Sequence, residues 1–68
     1  MNEPLKYAGK LDVYRRLKGL TICALAEKVG VTGDRMENLL AGQHEPRAGD
    51  IVKIERRLNI QFEEGDFV

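Results

Sequence analysis

The sequence predicts an all-α fold, and two features of its pattern carry that prediction. Apolar residues recur at intervals of three and four along most of the chain, as they do on one side of a helix, and no run alternates for long enough to indicate a strand. Glycines separate or end these apolar segments, at Gly19, Gly30, Gly33, Gly42 and Gly49. We therefore expect a compact bundle of four to five short helices.

The first helix is predicted over residues 8–18. Leu11, Tyr14 and Leu17 recur at helical spacing, and basic residues occupy the last turn, where the helix dipole favours them. Gly19 then supplies the stop. We expect the preceding segment, MNEPLK, to be frayed.

The second and third helices are predicted from their caps and their apolar positions. Thr21 is a suitable N-cap for the second helix, which ends at Gly30, and Thr32 is a suitable N-cap for the third, which ends at Gly42. The apolar residues that should face the core are Ile22, Leu25, Ala26 and Val29 in the second helix and Met36, Leu39 and Leu40 in the third.

A loop, a fourth helix and a tail complete the chain. Pro46 disfavours helix at Glu45, so residues 43–49 are predicted to form a loop. Asp50 is a candidate cap for the fourth helix, although a start near Arg47 fits as well. We expect Ile51, Ile54 and Leu58 to face inward, and residues 59–68 to form a short final turn or a tail laid on the core.

Composition excludes several classes of protein. A single domain of 68 residues leaves little room for a deep catalytic cleft, and one cysteine, Cys23, forms neither an internal disulfide nor a zinc cluster. His44 is the only histidine and lacks partners at motif spacing. We expect no enzyme activity, no cofactor and no metal. No apolar run approaches the ~20 residues of a membrane span, so a cytoplasmic protein is expected.

The formal net charge is zero, which argues against a binder that depends on strong attraction to phosphates. The charges are distributed unevenly, however. Residues 6–18 contain five basic side chains and one acidic one, whereas the last six residues contain three carboxylates. A local field is therefore available at each end of the sequence.

The junction between the second and third helices is the most informative stretch. Only Gly30, Val31 and Thr32 separate the two helices, so they must meet at a steep angle, around a left-handed turn that glycine adopts at little cost. Ala26 is small enough to let the third helix approach. This pattern predicts a helix-turn-helix element over residues 21–42.

With these segments in order, the sequence resembles the lambda-repressor and Cro-like helix-turn-helix proteins of phages and bacteria. The segments LKGLT, LAEKVGVT, MENLLAG, the Pro46 loop and IVKIERRLNIQF follow the order of that family from Leu11 to Phe62. The resemblance implies one domain over residues 1–68, with its core at about 8–62. It also implies a repressor-type transcription regulator that binds a palindromic double-stranded operator as a homodimer, with helix 33–41 in the major groove.

Three positions depart from the family pattern. Ile22 stands where the family often has a glutamine that supports a phosphate contact, and isoleucine donates no hydrogen bond. Leu40 stands where a glutamate commonly pairs with the arginine of the first helix, here Arg15. Glu55 replaces a small residue in the fourth helix. These departures are compatible with the fold and bear on the DNA contacts.

By the same resemblance, the third helix supplies the side chains that read bases. Arg35 suits guanine and Asn38 suits adenine, while a carboxylate accepts a hydrogen bond from cytosine N4. The alternative is that the carboxylates are solvated charges that favour the N-terminal end of a short helix. The base-reading positions are Gly33, Asp34, Arg35, Glu37 and Asn38.

Phosphate contacts are implied for the end of the first helix, for two helix N-termini and for the loop after the third helix. For the basic residues of the first helix, the alternative is an ordinary solvated surface. The implied phosphate-binding residues are Arg15, Lys18, Thr21, Thr32, Gln43, His44 and Arg47. A neighbouring cation, Arg16, is a weaker candidate.

Two further hypotheses concern partners. Apolar residues near the C-terminus are the candidate dimer surface, because a tail with two phenylalanines should not be left in water; they are Ile60, Phe62, Phe67 and Val68. The alternative function is a helix-turn-helix scaffold that binds protein, as an antirepressor or assembly partner, with little or no DNA binding. Neutral net charge, the Gly33-Asp34 pair, Ile22 and Leu40 favour that alternative.

Overall fold

A computed structural model describes residues 3–68 of the chain as an all-helical protein. Its elements are α1 (Lys6–Leu17), α2 (Ile22–Val29), α3 (Gly33–Ala41), α4 (Ala48–Leu58) and a 3-10 turn (Glu64–Phe67). No strand occurs within these residues. The predicted class and the number of helices are confirmed.

Helix α1 begins at Lys6, two residues earlier than predicted. The predicted frayed segment MNEPLK is therefore wrong at Lys6, which is helical. The start is fixed by tertiary contacts that the local pattern does not reveal: the Leu5 N–H donates to the carbonyl oxygen of Gly42 at 2.8 Å, and Tyr7 is buried. Met1 and Asn2 lie outside the described residues. The helix ends as predicted, with Gly19 in the left-handed region at φ 65°.

The predicted caps of α2 and α3 are confirmed. The hydroxyl of Thr21 accepts the N–H of Ala24, and the hydroxyl of Thr32 accepts the N–H of Arg35, each at 3.1 Å. Each contact satisfies one backbone donor that the first helical turn leaves free. Gly42 ends α3 in the left-handed conformation, as the sequence predicted.

Helix α4 begins near Arg47, which is its N-cap residue, and the prediction that Asp50 caps it is wrong. Asp50 is the third residue of the helix and is buried, because its carboxylate bonds to the side chain of Arg35 instead of to its own backbone. Asn59 ends α4 with φ 55°, a left-handed conformation that asparagine tolerates better than most residues.

The core lies between the four helices. Helix α3 packs on α1 and α2, and α2 also packs on α4. The inward positions predicted from spacing make up most of the buried apolar set, with Tyr7 and Ala8 added by the earlier start of α1. The buried residues are Tyr7, Ala8, Leu11, Leu25, Ala26, Val29, Met36, Leu39, Ile54 and Leu58. Because the apolar residues of α3 are buried in this cluster, the opposite side of the helix always faces outward.

The C-terminal segment folds back on α1, as predicted. Phe62 and Phe67 pack against Tyr7, with ring centroids 6.4 Å and 5.8 Å from the tyrosine ring. The ammonium group of Lys10 lies 2.7 Å from the buried carboxylate of Asp66, which also accepts the N–H of Glu63. The tail is therefore part of the folded domain.

Candidate nucleic-acid interface

The turn between α2 and α3 has the conformation that its sequence predicts. Gly30 adopts φ 90° and ψ 34°, and its N–H donates to the carbonyl oxygen of Ala26 at 2.8 Å. The N–H of Val31 donates to the same oxygen at 3.0 Å, and Val31 packs against the core. Three residues thus redirect the chain from α2 into α3, and Thr32 caps the new helix.

The outward side of α3 carries three polar side chains. Asp34, Glu37 and Asn38 are exposed, whereas Met36 and Leu39 on the opposite side are buried in the core. Residues three and four apart on a helix lie on one side of it, so the three exposed groups form one surface. We call Asp34, Glu37 and Asn38 the α3 outer face.

Arg35 does not belong to this outer face. Its guanidinium forms a hydrogen-bonded ion pair with the carboxylate of Asp50 in the first turn of α4. The Arg35 side chain is 33% exposed and that of Asp50 is 12% exposed, so the pair is largely removed from water. Arg35 was predicted to read a base, and the structure places its charged group against another helix.

A hydrogen bond beside this ion pair fixes the loop after α3. The Tyr7 hydroxyl donates to the carbonyl oxygen of His44 at 2.7 Å. Burial raises the pKa of Tyr7, the Arg35 charge opposes that rise and the Asp50 charge adds to it. Tyr7, Arg35 and Asp50 therefore share one environment, and Tyr7 is neutral and able to donate at physiological pH.

The loop and α3 border an open cavity of about 350 Å³. It brings together four residues that the sequence assigned to base or phosphate contacts: Arg35, Asn38, Gln43 and His44. The other residues that line it are Tyr7, Leu39, Ala41, Glu45 and Pro46. Two groups of predicted contacts, one on a helix and one in a loop, thus lie around the same opening.

The loop side chains predicted to bind phosphate are accessible. Gln43, His44 and Arg47 are all exposed, and the Gln43 amide donates to the carbonyl oxygen of Ala41 at 3.2 Å. Between residues 3 and 68, no carboxylate pairs with Arg47. Arg47 therefore has an uncommitted guanidinium at the N-terminus of α4.

Of the predicted phosphate contacts at the end of α1, Lys18 is exposed and Arg15 is only partly exposed. Arg15 is about a quarter exposed, and it donates to Asp12 and to the carbonyl oxygen of Leu20. Asp12 thus replaces the glutamate that the resemblance implied at Leu40, which packs against the core. The Lys18 ammonium lies 5.9 Å from the centre of the Tyr14 ring.

The remaining predicted contact residues lie at the starts of α2 and α3. Thr21 and Thr32 are exposed at the starts of α2 and α3, where free backbone N–H groups point outward. Gly33 is half-buried, and a side chain added there would meet no other atom within 4 Å. All three lie at the N-terminal ends of α2 and α3.

The predicted dimer surface is divided by the fold. Phe62 and Phe67 are half-buried against Tyr7, whereas Val68 is 85% exposed. Ile60 lies in an open apolar groove together with residues of α1, and the groove is lined by Lys10, Val13, Tyr14, Leu17, Ile60 and Gln61. Of the predicted set, the two phenylalanines are already used within the chain.

Two departures from the family pattern have structural roles. The carboxylate of Glu55 accepts the backbone N–H of Phe62 at 2.9 Å, so this residue ties α4 to the C-terminal segment. Ile22 packs against the core and leaves no polar side chain at that position of α2. Cys23 beside it is exposed.

Sequence reasoning missed the partners of Arg35 and of the loop. The ion pair joins positions fifteen residues apart and the Tyr7 bond joins positions thirty-seven apart, separations at which no local periodicity operates. The one signal in the sequence is the carboxylate of Asp50 near the start of α4, and the local pattern predicts a cap there. An acidic residue near the start of a helix can either cap that helix or bond to a side chain of another element.

Neither the family models, nor the curated proteins, nor the solved structures that were searched include a match to this chain. The described residues contain no group of three or more histidine, cysteine or acidic side chains arranged to hold a metal ion. Nor does any helix within residues 3–68 have the length and apolar character needed to cross a membrane. The geometry of the α3 region is therefore the basis for a functional proposal.

Proposed function

We propose that the protein is a sequence-specific regulator that binds double-stranded DNA with a lambda-repressor-like helix-turn-helix. In this proposal α2 and α3 are the helix pair and α3 enters the major groove. The observation that carries it is the left-handed turn at Gly30, which joins two threonine-capped helices and leaves the α3 outer face uncovered. A helix held in this way by its neighbour presents its exposed side to a groove.

The surroundings of α3 supply the contacts that such binding needs. Backbone N–H groups at the starts of α2 and α3 suit phosphate oxygens, and the exposed Arg47 supplies a cation beside the loop. The cavity between α3 and the loop adds the Gln43 and His44 side chains. A protein with zero net charge can still bind DNA, because the local field around the contact residues sets the interaction.

Selection from a pool of randomised duplexes, followed by titration at about 50 mM and about 200 mM salt, tests the proposal. We expect one sequence to be enriched and its affinity to fall as salt rises. Arg47→Ala should lower the salt dependence by about one unit of the log–log slope, since one phosphate contact is lost. Loss of enrichment together with no effect of Arg47→Ala would contradict DNA binding.

The matched control for Arg47 is Arg56→Ala. Both arginines are exposed, and both are on α4 or at its start. Nine residues separate them, about 13 Å along a helix axis at 1.5 Å per residue. Arg56→Ala removes the same charge from a distant part of the surface, so it should leave the salt dependence close to that of the wild type.

One observation favours a second candidate, a scaffold that binds a protein partner. With Arg35 held by Asp50, the charges exposed on α3 are the carboxylates of Asp34 and Glu37. An acidic helix face suits a basic protein segment better than a phosphate backbone. The distinguishing result is no duplex enrichment combined with binding to an array of basic peptides, and that binding should be lost in the Asp34→Asn/Glu37→Gln double variant.

The homodimer predicted from the sequence is part of the same proposal, since one such helix reads only a few base pairs. Because Phe62 and Phe67 are occupied, the available apolar side chains are Ile60 with Val13 and Leu17, of which Leu17 is 80% exposed. Sedimentation of the wild type and of Leu17→Ser tests this. A wild-type dimer that Leu17→Ser weakens supports the surface; equal dimerisation of the two proteins contradicts it.

A further inference from the structure

The charge arrangement of α3 makes Arg35 unlike the other predicted base-reading residues. It is the only basic residue between Gly33 and Ala41, and its guanidinium is bonded to Asp50. Asp34, Glu37 and Asn38 have no such partner among the described residues and remain exposed. An arginine that reads guanine uses two of its N–H groups at once, and one terminal nitrogen of Arg35 is already bonded to Asp50.

The ion pair resists opening because its acidic member is buried. Removing the guanidinium into a groove would leave the Asp50 carboxylate, 12% exposed, without its partner. An unpaired buried charge is strongly unfavourable. A guanine contact by Arg35 would have to compensate for that loss, whereas Glu37 and Asn38 reach a groove without breaking any bond.

The ion pair also connects elements that set the direction of α3. It joins the first turn of α3 to the first turn of α4, beside the Tyr7 hydroxyl that holds the loop between these helices. The N–H of Arg35 is itself the group that the Thr32 cap binds. A change in this pair would therefore rotate or shift the outer face relative to the loop.

Resting on the DNA-binding function proposed above, we propose that Arg35 and Asp50 are positioning residues and that Asp34, Glu37 and Asn38 alone read bases. The ligand class follows from their chemistry. Carboxylates accept a hydrogen bond from cytosine N4, and an asparagine amide pairs with adenine N6 and N7. The preferred duplex thus has cytosines opposite the carboxylates and adenine opposite Asn38, and it has no guanine that depends on Arg35.

The assignment of the base-reading residues is tested first at Asp34 and Glu37. Both are exposed, so their substitution should leave the fold intact. Binding profiles over all single-base variants of the selected duplex are measured for the wild type, Asp34→Asn and Glu37→Gln. Each substitution turns a carboxylate into an amide, so we expect preference at one base pair to change from cytosine to adenine, by about tenfold. Glu27→Gln, at an exposed position of α2 outside the predicted contacts, is the matched control and should leave the profile unchanged.

The positioning role is tested on the same profiles with Asp50→Asn, Arg35→Ala and the double variant. Asp50 is buried and cannot touch a base, so a changed profile in Asp50→Asn reports the direction of α3. We expect the three variants to weaken discrimination at the same base pairs, with the double variant no worse than either single one. A loss of fold alone would lower binding to all duplexes equally.

Arg35→Lys keeps the charge and, unlike arginine, presents no planar fork. It should retain the wild-type profile. Because it preserves a partner for Asp50, it also tests the positioning role if Asp50→Asn fails to fold. One result would overturn the positioning role and leave DNA binding standing. In that result, Arg35→Lys and Arg35→Ala both lose discrimination at a single guanine, while Asp50→Asn either keeps the wild-type profile or does not fold. A wild type that enriches no duplex overturns both.

Discussion

The hydroxyl of Tyr7, in the first turn of α1, donates a 2.7 Å hydrogen bond to the carbonyl oxygen of His44, thirty-seven residues away. The same ring packs against Phe62 and Phe67. One side chain therefore connects α1, the loop that carries the predicted phosphate contacts and the C-terminal segment. The position of that loop depends on a residue far from it in sequence.

Tyr7→Phe should destabilise the protein and loosen the loop. The ring and its packing are kept, so the loss is one hydrogen bond to a partly buried carbonyl, about 1 kcal/mol of unfolding free energy. Urea denaturation measures this change, and amide hydrogen exchange should increase selectively at residues 43–47. Tyr14→Phe, on the same helix, is the control. Equal exchange of the loop in both variants would show that the bond does not hold it.

Gly42→Ala should be among the most damaging small substitutions in the chain. Gly42 has φ 63°, and an added Cβ would lie 2.6 Å from the Ala8 Cβ and 2.9 Å from the Pro4 Cβ. Left-handed strain costs about 1–2 kcal/mol for a residue with a side chain, and overpacking adds about 1–3 kcal/mol. The thermal midpoint should therefore fall sharply.

Gly30→Ala separates the two causes of that loss. Gly30 is also left-handed, at φ 90°, but a Cβ there meets nothing within 4 Å. We expect this variant to show only the backbone cost and so to lose less stability than Gly42→Ala. If the two variants have the same midpoint, contact between the N-terminal segment and Gly42 contributes nothing.

Gly9→Ala should have the opposite sign. Gly9 lies within α1, is exposed, and has open space around the position of a Cβ. Alanine loses less conformational entropy than glycine in a helix, so the unfolding free energy should rise by about 0.5–1 kcal/mol. Chemical denaturation measures the gain. A decrease would mean that an unrecognised contact occupies this side of α1.

The parts of the fold that were predictable from sequence are those determined by neighbours along the chain. The Thr32 cap and the Gly30 turn depend on hydrogen bonds that span three to five residues, and both were predicted correctly. The two errors, the start of α1 and the role of Asp50, both arise where a distant segment contributes the deciding contact.

The candidate site shows the same division. Exposure of Glu37 and Asn38 follows from their helical spacing relative to Met36 and Leu39, so it was predictable. The direction of the Arg35 side chain was not, because an arginine on a helix edge has the length to reach either solvent or a neighbouring element. Only the placement of Asp50 on α4 decides between them.

The ion pair between Lys10 and Asp66 predicts how stability depends on acid. The pKa of Asp66 is held below its ordinary value, first because the carboxylate accepts the Glu63 N–H and then because Lys10 bonds to it. Since the unfolded carboxyl binds a proton more readily, this stabilisation is fully present above the unfolded pKa of about 3.9 and is lost as pH falls through the folded pKa.

Asp66→Asn should therefore be less stable than the wild type near neutral pH, and the difference should narrow below about pH 4. Urea denaturation of both proteins from neutral to strongly acidic pH measures this. Glu45→Gln, which removes an exposed carboxyl that is outside every ion pair of residues 3–68, controls for the change in net charge.

The dependence of stability on alkaline pH follows from Lys10, the other partner of the ion pair. It has the opposite sign to the dependence on acid. Hydrogen bonding to Asp66 raises the pKa of Lys10, so its contribution is present below the unfolded pKa of about 10.4 and is lost as pH rises through the folded value. Lys10→Met should remove this dependence while keeping the aliphatic stem. If the difference between wild type and Asp66→Asn stays constant across the whole pH range, the pair does not stabilise the C-terminal segment.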